Sequence, residues 1–327
     1  MLLLDIVGSN LGSPPVLCFV LGAIAVAIRS DLAVPEPVFS ALSIYLMLSI
    51  GLRGGAELAS GHLANVAGPV LAALAISCSI PLWSNALLRR LGGLSIVDAA
   101  AMAAHYGSVS ALTFAAVTTM LDRQGVPFEG YAAALLAIME VPAIVIAVAM
   151  AKRSMAAAGQ GASGTVAVLR EVASSKSVVL LAGGIAIGML VGPAGLVKVK
   201  PFFADLLQGA LCLFLLELGR VAALGTREFR VVGLRLAAFA IVMPVLHGAL
   251  GVAAAYAVGM SQGGAVVLGT LAASASYIAA PAAIRLALPE ANPAFTLTCS
   301  VAITFPFNII IGLPLYDAMA RAVYGAS

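Results

Sequence analysis

Charge is what this chain has least of. Asp, Glu, Lys and Arg make up 9% of its 327 residues, where a soluble domain carries about a quarter. Tryptophan occurs once and histidine three times, with no His-rich metal pair. No basic tract appears, and a formal net charge of +3 is too small to argue for nucleic acid. The four cysteines, Cys18, Cys78, Cys212 and Cys299, sit inside apolar runs without metal-ligand spacing or a paired pattern, and read as small core residues. There is no phosphate-binding loop, nucleophile elbow or identifiable acid–base pair, so neither an ATP-driven pump nor an enzyme is expected, and no cofactor or resident metal. The opening Met1–Asp5 lacks the basic region and cleavage site of a signal peptide.

What remains is apolar: 62% hydrophobic residues and a mean hydropathy of +1.10. Runs of roughly 20 apolar residues recur along the chain, the length that crosses a ~30 Å hydrocarbon core. The fold class expected is an all-α polytopic membrane protein. Breaks in hydropathy predict ten spans. The first five lie near Pro15–Ile28, Pro37–Leu52, Val66–Leu88, Val97–Leu121 and Gly130–Ala151. The next five lie near Val178–Val191, Phe202–Leu224, Val231–Val258, Gly263–Leu288 and Phe295–Met319. The first, second and sixth are short.

Between the fifth and sixth spans, Lys152–Lys176 has Gly159-Gln-Gly-Ala-Ser-Gly164 at its centre and reads as a flexible linker. It divides the chain into residues 1–151 and 177–327, five spans each. The halves are weakly alike. Val66-Ala-Gly-Pro-Val-Leu-Ala-Ala-Leu-Ala75 parallels Val231-Val-Gly-Leu-Arg-Leu-Ala-Ala-Phe-Ala240. Leu121–Pro127 parallels Ala287–Pro293, and Pro142 parallels Pro306. An odd number of spans per copy makes the second repeat inverted. With both termini outside, twelve Lys and Arg fall in inside loops and five in outside segments, so the linker is expected to face the cytoplasm.

Two polar knots interrupt this apolar background. One is Gly107-Ser108-Val109-Ser110 in the fourth span; its counterpart is Ser274-Ala275-Ser276-Tyr277 in the ninth. If both helices break there, the second half of each starts at the midplane, with free N–H groups and a positive dipole end aimed at the knot. Because the two spans are antiparallel, those ends face one another. Together they make a site for a small anion, to which the serine hydroxyls add donors. Gly107, Ala111, Ala275 and Ala279 keep the approach open, and Pro281 fits a perturbed helix. The plainer reading, kept beside it, is that both knots are small-residue packing faces.

Glu140, before Pro142 in the fifth span, is the most deeply placed carboxylate and a candidate cation ligand or proton carrier. Its plainer role is a protonated, hydrogen-bonded side chain. Asp98, Glu217 and Asp317 fall nearer span ends and read as solvated or snorkelling. His247 reads as a helix-to-helix hydrogen bond.

The series Gly107-Ser-Val-Ser110 with Thr113, Gly125-Val-Pro-Phe128, Glu140-Val-Pro-Ala143, Pro244-Val-Leu-His-Gly248, Gly263–Leu268, Ala272–Ser276, Pro281 and Ala291-Asn-Pro293 resembles the sodium-dependent bicarbonate transporters of the SbtA type. It covers both halves in order. The resemblance implies a ten-span inverted-repeat symporter in a bacterial inner membrane, moving its substrate by an elevator-type motion. It implies a mobile core domain from 66–151 and 231–319 and a scaffold from 15–65 and 177–230. It also implies a homotrimer, Na+ coupling and a cytoplasmic PII-like regulator. Substrate contacts then fall on Gly107, Ser108, Val109, Ser110, Ser274, Ala275, Ser276 and Tyr277, and cation binding or coupling on Thr113, Glu140 and Ser276. Where the family continues its late motif with Asp-Ile-Ser-Gly-Pro, this chain reads Tyr277-Ile-Ala-Ala-Pro281. An alternative is therefore a proton-coupled or uncoupled carrier of another small anion, such as a short carboxylate, with Tyr277 on the substrate and Glu140 carrying the proton. A non-transporting membrane sensor is the third reading.

Overall fold

The computed structural model describes residues 12–60, 66–157, 170, 173–225 and 229–325. Met1–Asp5, His62 and the Gly159–Gly164 centre of the expected linker lie outside these. Among the described residues the chain is helical throughout, with no strand. Helices α1 (Pro14–Ala27), α2 (Glu36–Ser60) and α3 (Ala67–Arg90) are followed by α4 (Ile96–Gly107) and α5 (Ala111–Gln124), separated by a break. Then come α6 (Ala132–Glu140), α7 (Pro142–Ala157), α8 (Lys176–Val197), α9 (Lys200–Phe203), α10 (Leu207–Gly225) and α11 (Phe229–Ala257). A second break separates α12 (Gln262–Ala273) from α13 (Ala279–Ala287), and α14 (Pro293–Tyr324) closes the fold. Eight helices are long and apolar enough to cross a membrane; α1 and α12 are shorter apolar helices. This is a multi-pass membrane protein.

The second and sixth spans are longer than hydropathy predicts. Helix α2 continues past Leu52 because Arg53 is neutralised on the helix surface, bonding Glu57 one turn on and Asp122 of α5, each at 3.0 Å. Helix α8 runs on to Val197 by kinking at Gly192, whose φ of 61° only glycine adopts without strain, just before Pro193. Asp317 and Glu217 are also not solvated. Asp317 is fully buried, deeper than Glu140, with one oxygen on Arg321 at 3.0 Å. Glu217 is clasped by Arg220 and accepts from the Val34 amide at 3.0 Å. In both cases an arginine on the same helix replaces the water that a lone carboxylate would need.

Helix ends follow local chemistry. Ser95, Ser110, Ser175, Ser261 and Asn292 each cap a helix start by accepting a backbone N–H. Gly125, at φ 67°, ends α5 in the left-handed turn that lets Val126 N–H reach Leu121 C=O at 3.0 Å.

Packing sorts the helices into groups. Helix α1 lies along α10, and α2 along α8. These pairs approach closely because glycines line them: a Cβ on Gly22 or Gly219 would stand 1.9 Å from a backbone oxygen of the opposing helix. The same α1–α10 contact brings the Cys18 and Cys212 thiols together, a pairing their sequence positions do not suggest. Helices α3, α4 and α7 form a second group, and α11, α12 and α14 a third. Helix α14 is π-helical over Thr298–Thr304 and Asn308–Gly312, which takes up the wide turns around Pro306 and Pro314.

Candidate functional site

Both predicted breaks are present and they interlock. After α4 ends at Gly107, Ser108 and Ser110 are extended (φ/ψ −89/172° and −116/114°), and α5 starts at Ala111. Ser110 Oγ caps the new helix, accepting from Thr113 N at 3.1 Å and Thr113 Oγ1 at 3.0 Å. After α12 ends at Ala273, Ser274 is extended and bends its hydroxyl back to Leu271 C=O at 2.7 Å. The extended segments of the two breaks then cross. Ser110 N–H donates to Ser274 Oγ at 3.0 Å, and Ser276 N–H donates to His105 C=O at 2.8 Å. Ser276 Oγ accepts from Ala280 N at 3.2 Å inside α13. Ser108, Val109, Ser110, Ser274, Ala275 and Ser276 are all buried.

Tyr277 reaches across the crossing. Its phenol oxygen accepts from Ser110 Oγ at 2.8 Å, and its ring packs edge-on against Phe305, centroids 5.4 Å apart. Tyr277 therefore sits over the start of α5. Around it, the amides of Ala111 and Leu112 on α5, and of Ala279 on α13, make no hydrogen bond among the described residues. Buried, unpaired N–H groups at two opposed helix starts are the donors an anion needs. Pro281 falls in the first turn of α13, where its missing N–H is no loss.

The carbonyl ends of the breaks are held mainly by side chains outside the polar knots. Ser77 of α3 donates to Met139 C=O at 2.9 Å and lies 3.3 Å from Gly107 C=O. Ser108 donates to Glu140 C=O at 2.9 Å. Those two carbonyls are freed because Pro142 interrupts the fifth span, so it too is broken, into α6 and α7. In the second half Asn308 Nδ2 donates to Ala273 C=O at 2.9 Å, and Tyr316 holds Asn308 Oδ1 at 2.8 Å. Tyr106 joins the halves again, bonding Thr304 Oγ1 at 2.6 Å while Thr304 donates to Ala240 C=O at 2.6 Å. The visible signals for Asn308, Ser77 and Thr304 are isolated polar side chains, or short series of them, within apolar runs.

Glu140 is not in the crossing itself. Its backbone takes part through Ser108, while its buried carboxylate faces Ser177 at the start of α8, and neither Oε2 nor Ser177 Oγ has a hydrogen-bond partner. Thr113 and Ser276, the other coupling candidates, spend their hydroxyls on helix starts. No cluster of three His, Cys, Asp or Glu side chains occurs among the described residues, so oxygens available to a hard cation here are hydroxyls, carbonyls and single carboxylates. His247 accepts from Trp83 Nε1 at 3.0 Å, the helix-to-helix bond expected of it. Two carboxylates tie the halves at loop level. Glu129 accepts from Ser261 N and Oγ at the start of α12, and Asp98 accepts from Asn292 N at 2.8 Å at the start of α14.

A family model described as the Na+-dependent bicarbonate transporter superfamily matches residues 14–321. No curated protein matches the chain.

Proposed function

Because the chain belongs to the Na+-dependent bicarbonate transporter superfamily, we propose that it is a secondary active transporter that takes up bicarbonate with Na+, binding the anion where its two broken spans cross. The observation that carries this reading is that the first residues of α5 and α13, Ala111, Leu112 and Ala279, are buried beside the crossing with their amides unpaired among the described residues. One anion a few ångströms across can accept from both helix starts at once. The Tyr277 hydroxyl, which accepts from Ser110 and keeps its own proton, supplies a further donor, and Ser108, Val109, Ser110, Ser274, Ala275 and Ser276 form the walls.

The packing groups support a ten-span elevator. Counting α1 and the broken α12–α13 with the eight long helices gives ten crossings in two sets of five. The α3–α7 and α11–α14 segments, which hold the crossing, act as the mobile core. The α1–α10 and α2–α8 pairs, locked by close glycine contacts, act as the scaffold. The distribution of Lys and Arg supports both termini lying outside, and the resemblance adds a bacterial inner membrane. The resemblance adds a homotrimer and a cytoplasmic PII-like regulator.

Radiolabelled bicarbonate uptake into proteoliposomes, with and without a Na+ gradient, is the test. Gradient-driven uptake is expected; none under either condition overturns the substrate, and uptake indifferent to Na+ overturns the coupling.

A second reading is favoured by Tyr277, which supplies a neutral phenol where the family has an acid, and by Glu140, whose buried carboxylate lacks a full set of partners. In it a small anion moves with a proton carried by Glu140. Glu140→Gln then abolishes the pH dependence of uptake, and an unchanged pH profile sinks it.

A further inference from the structure

Two large grooves open on the surface of the helix bundle, and their charges are handled differently. One, of about 570 Å3, lies between α2 and the α8–α9 corner. Its cations are consumed within the protein: Arg53 pairs with Glu57 and Asp122, and Lys200 with Asp205. The other, of about 520 Å3, lies between the end of α3 and the start of α11. It carries Arg90 and Arg235, one from each helix, and no acidic residue among the described residues lines it. Both arginines are exposed, and among the described residues neither has an ion pair or hydrogen bond.

Below the two guanidinium groups the walls are apolar. Leu87, Leu91, Phe239 and Val242 line the groove, and the lining on α11 runs from Arg235 to Met243, about 12 Å of helix at 1.5 Å per residue. The shape is a charged mouth over an oily channel running into the bilayer. Arginine is suited to the mouth, since its planar fork meets two phosphate oxygens at once. Both residues lie at the end of the membrane that the distribution of Lys and Arg assigns to the cytoplasm, where anionic lipid is concentrated.

We propose that the α3–α11 groove is a binding site for an anionic phospholipid, its phosphate held between Arg90 and Arg235 and one acyl chain laid along Leu87, Phe239 and Val242. Two cations with no counter-charge among the described residues select a headgroup of net negative charge over a zwitterionic one. The apolar walls select a lipid over a free phosphate ion. Because α3 and α11 both belong to the segments that carry the crossing, the lipid rides on the same body as the substrate site.

Native mass spectrometry of the detergent-released full chain, incubated with equal amounts of phosphatidylglycerol and phosphatidylcholine, reads this directly. Retained phosphatidylglycerol is expected to exceed phosphatidylcholine roughly 30-fold, from two interfacial arginines. In R90Q/R235Q that ratio falls towards one, while R90K/R235K keeps most of it and shows that the site tolerates substitution. R53Q, which alters the ion-paired groove, leaves the ratio unchanged. Equal retention of the two lipids by the unmodified protein, or a ratio that survives R90Q/R235Q, overturns the proposal. Displacement of phosphatidylglycerol by millimolar inorganic phosphate alone also overturns it, by making the ligand a free anion.

Discussion

The two breaks do the same topological job with different rigidity. The first is three residues long, 108–110, and every residue in it is buried; Ser110 caps a fourteen-residue half-helix. The second spans five residues, 274–278, and leads into a nine-residue half-helix whose N-cap, Ile278, offers no side-chain bond. Tyr277 and Ile278 are only half-buried. Their carbonyl ends differ as well. Gly107 C=O has a share of one serine hydroxyl, whereas Ala273 C=O is held by an amide that is itself held by Tyr316. The second break is thus loose where its new helix begins and firmly fixed where the old one ends. That division suits a site in which one side fixes the geometry and the other adapts to what is bound.

The largest way to break the comparison is at the carbonyl ends. Asn308→Ala strands both Ala273 C=O and the Tyr316 hydroxyl, at about 1–3 kcal/mol for each buried group left unpaired. Ser77→Ala strands Met139 C=O mainly and is expected to cost about 1–2 kcal/mol. Thermal unfolding midpoints in one detergent should rank Asn308→Ala clearly below Ser77→Ala; the reverse order would show the first break to be the more tightly tied. Next come the helix starts. Ser110→Ala removes a cap and the partner of Tyr277 and should cost about 1 kcal/mol, with Ser276→Ala roughly half that. Uptake should fall more in Ser110→Ala than the loss of folded protein explains, and proportional losses in the two variants would remove the special status of Ser110. The smallest effect on stability is Arg53→Gln. Its bonds to Glu57 and Asp122 are nearly half exposed and contribute under about 1 kcal/mol. Yet Arg53 lies on α2 and Asp122 on α5, so uptake rate should change while the unfolding midpoint does not. An unaltered rate would mean that this contact is not remade during transport.

The knots were legible because Ser, Gly and Tyr stand out inside apolar runs, and their pairing because they recur at matching places in the two halves. The partners that complete them were not. Ser77 lies 62 residues from the carbonyl it binds, Asn308 35 residues and Tyr106 198 residues from theirs, so no local pattern joins them. Span lengths were misread for a related reason: hydropathy counts Arg53 as a charge, but packing presents it as half of an ion pair. Asp317 reads as solvated or snorkelling from its place near a span end, whereas its bond to Arg321 one turn on lets it be buried. The break at Pro142 could be anticipated from the proline, though not that Ser77 and Ser108 would absorb its freed carbonyls.

Glu129 and Asp98 each reach from the first half of the chain to the start of a helix in the second, one beside α12 and the other beside α14. A body bolted at two such points has one degree of freedom where two separate halves would have two. The half-helices cannot open like a pair of jaws without tearing a carboxylate from a backbone amide. With the Ser110–Ser274 bond at the crossing, the two halves are tied at three separate places along the chain.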